Sequence, residues 1–415
     1  MKVEEHVPLI QESRKRRCQS SENASKRQQL LPKLPLRLHT SNENVDLSPL
    51  VSAIRKAKRI VVVTGAGISC DAGIPDFRSS EGLFSSLRAE YKLNCSGKEL
   101  FDGSVYRDLK SVNIFHAMIR KLHMLSNNAR PTDFHLFLSQ LAQESKLLRL
   151  YTQNIDFLET RLEGLQTCIP LPQSAPWPTT IPLHGTLEVV SCTRCSFLKK
   201  FNPDIFDRNG VTVCPDCKTE NEVRRIAGKR SVIEGCLRPR IVLYNEIHPD
   251  SESIGSVCSQ DLKSRPDCLI VAGTSCKIPG VKRIIKEMSN CVHKQKGNVI
   301  WLNYDEPTKD FLNLCDLVVQ GDLQIAIRRL KPLLDAPSWK LKSHSAKRTS
   351  KQKSSEQTKI TSSTKVTKAV GLNTKSNDSS KKDNTSFQLH QVLNSIEIPK
   401  VEIKQEVEYA TPSPL

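Results

Sequence analysis

The sequence has 415 residues, enough for two or three domains, and a formal net charge of +18 with a pI of about 9.3. No apolar stretch is long enough to span a bilayer and no signal peptide precedes the central part, so the composition predicts a soluble intracellular protein. The 14 cysteines are therefore expected to be thiols or metal ligands in a reducing compartment, not disulfides.

Residues 1–45 are polar and mixed in charge, which predicts a disordered basic arm. Two basic clusters, residues 14–17 (RKRR) and residues 26–27 (KR), have the pattern of nuclear-import signals. The alternative is a solvated charge run in a flexible arm.

A short helix over residues 51–58 is predicted to lead into a buried strand. Residues 60–63 form a β-branched run, typical of a central parallel strand. The run ends at residues 64–67, TGAG, whose small side chains let a backbone approach a phosphate, at the start of a predicted helix with free N–H groups. Cys70 stands where a full dinucleotide-binding fingerprint has its third glycine, so the pattern is half of that fingerprint.

The next motif, GIPDFRS at residues 73–79, sets an acid, an aromatic ring and a guanidinium side by side. A Rossmann domain that only transfers hydride does not need this cluster. From the residues alone, an ordinary strand-turn-helix with a surface loop is the alternative. GAGIS followed by GIPDFRS resembles the sirtuins, the NAD-dependent protein deacylases. The resemblance implies NAD contacts from Gly65, Ala66, Gly67, Ser69, Asp76, Phe77 and Arg78.

Residues 85–130 carry amphipathic helical signs and resemble the small helical module that sirtuins insert into their Rossmann domain. Residues 131–135 then open a helix with an early proline. We interpret His135 as structural, because a lone histidine on a helix is more often a core residue than a ligand.

Polar residues follow the next buried strand, at residues 147–151. They would lie beyond the carboxyl end of that strand, where open α/β sheets bind ligands. From the residues alone, the segment is a strand-end turn. The resemblance implies NAD contacts from Gln153, Asn154, Ile155 and Asp156, around nicotinamide and its ribose, and places Asn154 and Asp156 in the catalytic set.

A proline-rich segment, residues 166–182, is longer than its counterpart in most sirtuins, and its prolines exclude a helix. It is expected to be an ordered or partly mobile loop beside the active site. His184-Gly185 follows. These two residues also fit a structural turn, but their position matches the catalytic histidine of sirtuins. A neutral imidazole there can take a proton from a ribose hydroxyl.

Two Cys-x-x-Cys pairs come next, Cys192 with Cys195 and Cys214 with Cys217. Their separation lies within the range of zinc ribbons. Four thiolates leave no open coordination position, which predicts one structural zinc ion in a module at about residues 190–236.

The strand predicted at residues 238–249 ends in Tyr244-Asn245-Glu246, where most sirtuins have Phe-Gly-Glu. In the family this stretch binds the substrate peptide by strand addition, which implies substrate contacts from Val242, Tyr244, Asn245 and Glu246. The Asn245 side chain is expected to narrow the peptide cleft. The departure resembles the fungal Hst-type sirtuins, which are nuclear and act on chromatin.

Three further strands are predicted towards the end of the central part, at residues 267–272, 298–303 and 315–319, with a final helix to about residue 334. Small and hydroxylated residues follow the first of them, which suits phosphate or ribose. The resemblance, which covers about residues 50–335, implies NAD contacts from Gly273, Thr274, Ser275, Asn303, Tyr304 and Asp322.

Residues 336–415 are rich in Lys, Ser and Thr and poor in large apolar residues, which predicts a disordered basic tail. Such a tail suits work near nucleic acid, and a merely solubilising tail is the alternative.

The predicted fold is α/β: a Rossmann-like parallel-sheet domain at residues 46–335, with a smaller lobe made of the helical insert and the zinc module. The resemblance implies NAD-dependent deacetylation of a protein lysine, with a histone as the expected substrate and with roles in chromatin silencing, transcriptional repression and genome stability. As the resemblance implies the reaction, the acetyl oxygen attacks the anomeric carbon of the nicotinamide ribose, nicotinamide leaves, and His184 acts as general base. The expected products are free lysine and O-acetyl-ADP-ribose.

Two alternatives remain open from the sequence. A mono-ADP-ribosyltransferase would use the same NAD pocket, and a non-enzymatic chromatin-binding module would use the zinc module and the tails. The expected partners are an acetylated histone or another acetyl-lysine protein, and chromatin through the basic tails, with no membrane.

Overall fold

The computed structural model describes residues 36–38, 45–76, 99–207 and 209–337. The strands are β1 (Leu36–Leu38), β2 (Ile60–Thr64), β3 (Leu147–Thr152), β4 (Thr180–Pro182), β5 (Gly185–Cys192), β6 (Leu198–Lys200), β7 (Leu237–Ile241), β8 (Cys268–Ala272), β9 (Asn298–Asn303) and β10 (Leu317–Gly321). The α-helices are α1 (Ser48–Lys56), α2 (Leu109–Asn128), α3 (Asp133–Gln143), α4 (Pro215–Ile226), α5 (Ser251–Lys263), α6 (Pro279–Lys294), α7 (Lys309–Leu312) and α8 (Leu323–Asp335).

Seven parallel strands form the main sheet, in the order β1-β10-β9-β8-β2-β3-β4. Every residue of β2 and β8 is buried, as expected for central strands with helices on both faces. The chain passes from β2 to β3 on one side and later returns to β8 on the other. The strand order therefore reverses between β2 and β8, and ligands bind at such a point in open α/β sheets. This confirms the predicted Rossmann-like class.

Two apolar cores flank the sheet. One contains side chains of α1, α3 and α8, including Ile54, Phe134 and Leu330. The other contains side chains of α5, α6 and α7, including Val257 and Ile285. In the described part of the chain, no helix has both the length and the apolar character needed to cross a membrane.

The smaller lobe combines α2 with a three-stranded antiparallel sheet in the order β6-β5-β7. Its core joins Phe115 and Ile119 of α2 to Val190 of β5, together with Phe201 and Phe206 beyond β6. The helical insert and the cysteine module therefore share one lobe, as predicted. The first part of the insert, residues 85–98, lies outside the described residues.

Three predicted features differ in the structure. The strand predicted at residues 238–249 is shorter, since β7 ends at Ile241. Strand β1 lies within residues 1–45, which were expected to be disordered throughout. Its backbone pairs with β10, and the polar composition of the arm does not predict this pairing. The prediction of a helix after β2 is also wrong. Two 3₁₀ turns, Ala66–Ile68 and Cys70–Ala72, take its place, because Gly73 has a left-handed φ of 82° and Pro75 follows.

The proline-rich segment is ordered by contacts at the edge of the sheet. Arg149 of β3 pairs through two nitrogens with the buried Asp261 of α5, each at 2.9 Å, and also donates to the Trp177 carbonyl at 3.3 Å. Ser253 of α5 donates to the Leu171 carbonyl at 3.3 Å. The segment thus packs between β3 and α5. No residue of the segment lines the cleft described next, but its last residue, Pro182, pairs with Thr152 and so lies beside the cleft residue Gln153.

Candidate active site

A cleft of about 820 Å³ lies where β2, β3, β8, β9 and β10 end. Most of the predicted site residues line it: Gly65, Ala66, Gly67, Asp76, Gln153, Asn154, Ile155, His184, Val242, Tyr244, Asn245, Glu246, Gly273, Thr274, Ser275, Asn303, Tyr304 and Asp322. Ser69 and Asp156 are buried and do not line it. Phe77 and Arg78 lie outside the described residues.

Glycines join the turns that follow β2 and β8. Gly67 N donates to the Gly273 carbonyl at 2.9 Å. A Cβ added to Gly65 would lie 2.7 Å from Thr274 Cβ, and one added to Gly67 would lie 2.8 Å from Gly273 Cα. Both distances are too short for real Cβ atoms. The glycines of the TGAG motif thus allow two backbone segments to touch at the floor of the cleft.

Amide side chains tie the strand ends together. Gln153 Nε2 donates to the Thr64 carbonyl at 3.0 Å and to Thr274 Oγ1 at 2.8 Å. Asn303 Nδ2 donates to the Thr274 carbonyl at 3.0 Å. These bonds fix the ends of β2, β8 and β9 relative to each other, so the cleft is formed by a rigid edge of the sheet.

Asn154 presents a buried acceptor at this edge. Its Nδ2 donates to Ser69 Oγ at 3.1 Å. Burial raises the pKa of the nearby Asp156 carboxyl, and the Ser69 hydroxyl opposes this shift. Asn154 is 4% exposed, and its Oδ1 has no hydrogen-bond partner among the described residues. A buried carbonyl oxygen without a partner in the wall of a cleft is typical of a ligand contact.

His184 is oriented by the neighbouring backbone. Its Nδ1 lies 2.9 Å from the Gln153 carbonyl oxygen, which can only accept, so Nδ1 carries a proton. In the neutral ring, Nε2 therefore holds the lone pair that a general base needs. Gly185 has a φ of 77°, and a Cβ there would lie 2.1 Å from the Arg240 carbonyl oxygen. The His-Gly pair is a weak motif in the sequence, but the structure shows that only glycine fits at its second position.

Residues 242–246 form the opposite wall. Val242 N donates to the His184 carbonyl at 2.9 Å. Tyr244 N donates to the Phe101 carbonyl at 2.6 Å, and Gly103 N donates to the Tyr244 carbonyl at 3.0 Å. A peptide that adds as a strand beside Tyr244 would therefore compete with residues 101–103. Asn245 has a left-handed φ of 64° and donates from its amide to Asp102.

The four cysteines form a compact cluster away from the cleft. Their Sγ atoms all lie within 4.8 Å of one another, with 3.7 Å between Cys192 and Cys217 and 3.6 Å between Cys195 and Cys214. Tetrahedral zinc with Zn–S bonds of about 2.3 Å needs Sγ atoms about 3.8 Å apart. The cluster fits zinc, and four thiolates make it a structural site.

Several residues of the site were not predicted from the sequence. Phe101 and Lys277 line the cleft, and Cys70 lines it where the dinucleotide fingerprint has glycine. Gly235 lies beside the cysteines, and a Cβ there would lie 2.3 Å from Cys192 Sγ. Glu159 is buried next to Asp156. The sequence could have indicated Cys70, because it occupies a glycine position of the fingerprint. Phe101, Lys277, Gly235 and Glu159 are identified only by contacts between segments distant in sequence.

Comparisons with known proteins agree with this geometry. Residues 65–280 match the Sir2 family. The chain is 99% identical over 415 residues to the NAD-dependent protein deacetylase hst4 of Schizosaccharomyces pombe, covering 100% of both proteins. It is 46% identical over 284 residues to the NAD-dependent histone deacetylase HST4 of Saccharomyces cerevisiae, covering 66% of this chain and 75% of that protein. Among solved structures, a Sir2 homologue in complex with NAD shares its fold with a TM-score of 0.52 at 24% identity, covering 72% of this chain and 97% of that chain.

Proposed function

The chain belongs to the Sir2 family, and we propose that it is an NAD-dependent protein-lysine deacetylase that acts on a histone. The observation that carries the proposal is the meeting of His184 and Asn154 in one cleft. His184 carries its lone pair on Nε2, and Asn154 offers a buried oxygen without a partner among the described residues.

The residues of the cleft fit NAD. Bound NAD supplies the ribose that accepts the acetyl group and the nicotinamide that leaves. We assign the nicotinamide end to Gln153, Asn154 and Asp156, around the Asn154 oxygen that has no partner in the described part of the chain. Ser69 is assigned a supporting role, since it accepts from the Asn154 amide. The adenosine and phosphate end is assigned to the remaining strand ends: Gly65, Ala66, Gly67, Asp76, Gly273, Thr274, Ser275, Asn303, Tyr304 and Asp322. Phe77 and Arg78 stay predictions.

His184 is assigned the role of general base. It takes a proton at Nε2, while the bond from Nδ1–H to the Gln153 carbonyl keeps the ring in one orientation and stabilises the charged form. A base of this type works only while it is neutral.

The cysteine cluster is assigned a supporting role. Zinc held by Cys192, Cys195, Cys214 and Cys217 would link β5 to α4 in the smaller lobe. Because the binding energy of a structural zinc is folding energy, the ion would keep this lobe folded beside the cleft.

The substrate class is a proposal based on the relatives. The yeast relative is named a histone deacetylase, and a Sir2 structure holds a p53 peptide with NAD. The peptide wall here comprises Val242, Tyr244, Asn245 and Glu246. We propose a nuclear location and binding to chromatin because of the basic arm and tail. Roles in silencing, repression and genome stability would follow from action on histones.

Mass spectrometry of an acetylated histone peptide, incubated with the full chain and NAD, tests the proposal. We expect loss of the acetyl mass and formation of O-acetyl-ADP-ribose, and neither product with the His184→Ala variant. A peptide or protein that gains the mass of ADP-ribose would establish the transferase alternative. A chain that leaves peptide and NAD unchanged would overturn the proposed activity.

The catalytic unit is proposed to be residues 46–335 together with β1. The tail should therefore contribute to chromatin binding and not to turnover on a peptide. Removal of residues 338–415 should leave peptide turnover unchanged and weaken nucleosome binding, most strongly at low salt. Loss of turnover on free peptide would contradict this boundary.

A further inference from the structure

The peptide wall, residues 242–246, is held by an ion pair from the smaller lobe. Arg238 of β7 donates from Nη2 to Glu246 Oε1 at 2.7 Å. The other carboxyl oxygen of Glu246 accepts from the Leu243 backbone N–H at 3.3 Å. Glu246 therefore closes the turn that forms the wall, and Arg238 fixes the carboxyl group that closes it.

Neighbouring side chains pack around this ion pair. The side chains of Arg238 and Glu246 are 21% and 26% exposed. The Arg238 guanidinium lies 4.0 Å from the centre of the Tyr106 ring, and that ring packs edge-on against Phe115 of α2. A Cβ added to Gly103 would lie 3.0 Å from Glu246 Cγ. Because neighbours already confine both side chains, the pair costs less side-chain entropy than an exposed ion pair does.

The strand that carries Arg238 is fixed beside the cysteine cluster. In the antiparallel pairing of β5 with β7, Arg238 lies opposite Ser191. The preceding residue, Leu237, lies opposite Cys192 and is buried among the cysteines. Arg238 thus projects from a part of the lobe that β5 and the cluster hold in place. Glu246, its partner, lines the cleft, so the pair joins the smaller lobe to the peptide wall.

We propose that Arg238 is a positioning residue for the substrate peptide, and that Glu246 serves the site through this pair and not by contact with the substrate. The inference deepens the peptide end of the cleft and rests on the proposed function. A peptide that adds as a strand needs backbone donors and acceptors at a regular spacing. With the pair intact, Glu246 holds Leu243 and its neighbours in one arrangement. Without the guanidinium, the half-buried carboxylate turns towards water and the wall loses that arrangement.

Arg238→Met keeps much of the apolar stem of the side chain and removes its charge and its donors. We would measure kcat and KM of the full chain with an acetylated histone peptide and with an acetyl-lysine that is capped at both ends and has no flanking residues. We expect the KM for the peptide to rise about tenfold, which corresponds to about 1.4 kcal/mol of binding free energy. The kcat and the KM for NAD should stay at the native values.

The capped acetyl-lysine distinguishes positioning from a general loss of structure. It has no flanking backbone that could pair with the wall, so its kcat/KM should be the same in Arg238→Met and in the native chain. Arg283→Met is the control for loss of an ion pair, because it breaks the exposed pair with Glu287 on α6. This control should keep the native KM for both substrates.

A double-variant cycle tests whether Glu246 acts through Arg238. Glu246→Gln keeps an acceptor for Leu243 and loses only the charge, and it should raise the KM for the peptide severalfold. The variant with both changes should be no worse than Arg238→Met alone. If Glu246 contacted the peptide by itself, the two factors would multiply. Arg238→Gln loses the same charge and keeps a polar group, so the cycle can be run with it if Arg238→Met does not fold.

Three results would overturn the inference. The first is a native KM for the peptide in Arg238→Met, or in Arg238→Gln where that variant replaces it. The second is a double variant in which the two factors multiply. The third is an equal loss of activity with the peptide and with the capped acetyl-lysine, which would assign Arg238 to the stability of the lobe alone.

Calorimetric binding of the acetylated peptide separates this inference from the proposed function. Normal deacetylation by the native chain, with native binding of the peptide by Arg238→Met, would refute the role of Arg238 and leave the function intact. Binding that weakens about tenfold in Arg238→Met, in a chain that does not deacetylate the peptide, would refute the function and support the role of Arg238.

Discussion

The cysteine cluster and the nicotinamide end of the cleft are both built from a few polar side chains, but they are assembled differently. Cys192 and Cys217 are 25 residues apart in sequence. Asn154 and Ser69 are 85 residues apart, and Gln153 and Thr274 are 121 residues apart. The cluster is thus a local structure that a metal can close, whereas the cleft exists only once the parallel sheet has brought distant strand ends together.

Because of this difference, substitutions in the cluster should affect folding, whereas substitutions in the cleft should affect chemistry. Loss of a ligand in the cluster should remove the structure of the smaller lobe, because a metal site without a ligand loses its binding energy. Loss of a polar group in the cleft should remove a chemical step or a contact, because the sheet beneath it is held by its own apolar cores. The predictions below test this separation.

The largest effect is expected for Cys214→Ser. We expect loss of the bound zinc, unfolding of the smaller lobe and loss of all deacetylation, since Cys214 is fully buried in the cluster. Metal analysis and limited proteolysis would check both parts. Cys168→Ser, at an exposed cysteine outside the cluster, is the control and should keep its zinc. An active protein without zinc would contradict the structural role of the cluster.

His184→Ala should come next. We expect deacetylation to fall by about 10²–10⁴-fold, the usual contribution of a general base. The thermal unfolding temperature and the zinc content should stay at the native values, because the ring lies at the cleft and not in a core. His344→Ala in the tail serves as control. A His184→Ala variant with near-native turnover would exclude the assigned role.

Ser69→Ala should have an intermediate effect. It removes the hydroxyl that accepts from the Asn154 amide, and an unsatisfied buried group costs about 1–3 kcal/mol. We expect the KM for NAD to rise by about 5- to 150-fold, the same free energy expressed as affinity. Ser259→Ala, an exposed serine on α5, should leave the KM unchanged. Equal KM values for the two variants would argue against this role of Ser69.

The sheet and the cysteine cluster were predictable because their signals are local. The β-branched run at residues 60–63 predicts a strand buried on both faces, and the structure has such a strand. The cysteine cluster is predicted by the spacing of its four cysteines alone. His135 was also interpreted correctly. It is fully buried, and its Nδ1 accepts from the Thr132 backbone at the start of α3.

The parts that the sequence did not reveal depend on distant partners. In the sequence, Glu159 cannot be distinguished from any glutamate in a turn. Its contact with Thr152 and its place near Asp156 are evident only in the structure. Gly235 is required only because Cys192 Sγ occupies the space of its side chain. Strand β1 was missed because an edge strand of three residues in a polar arm has no periodic pattern, and its pairing with β10 decides its conformation.

The smallest effect is expected at Asn245, where this chain departs from the Phe-Gly-Glu of most sirtuins. Its φ of 64° lies in the left-handed region, which glycine adopts freely and asparagine tolerates better than other residues. Asn245→Gly should therefore change the free energy of unfolding by less than about 1 kcal/mol, while Asn245→Ala should be destabilised by about 1–2 kcal/mol. Both variants lose the amide that donates to Asp102 at the peptide wall.

If the Asn245 side chain narrows the peptide cleft, both variants should accept a wider range of residues beside the acetyl-lysine. KM values for a panel of acetylated peptides would then shift severalfold, whereas the KM for NAD would stay constant because the cofactor end of the cleft is unchanged. A shift in Asn245→Ala alone would trace the effect to backbone strain and not to the side chain. An unchanged peptide panel in both variants would show that the bond to Asp102 holds the amide clear of the peptide, and would refute the narrowing predicted from the sequence.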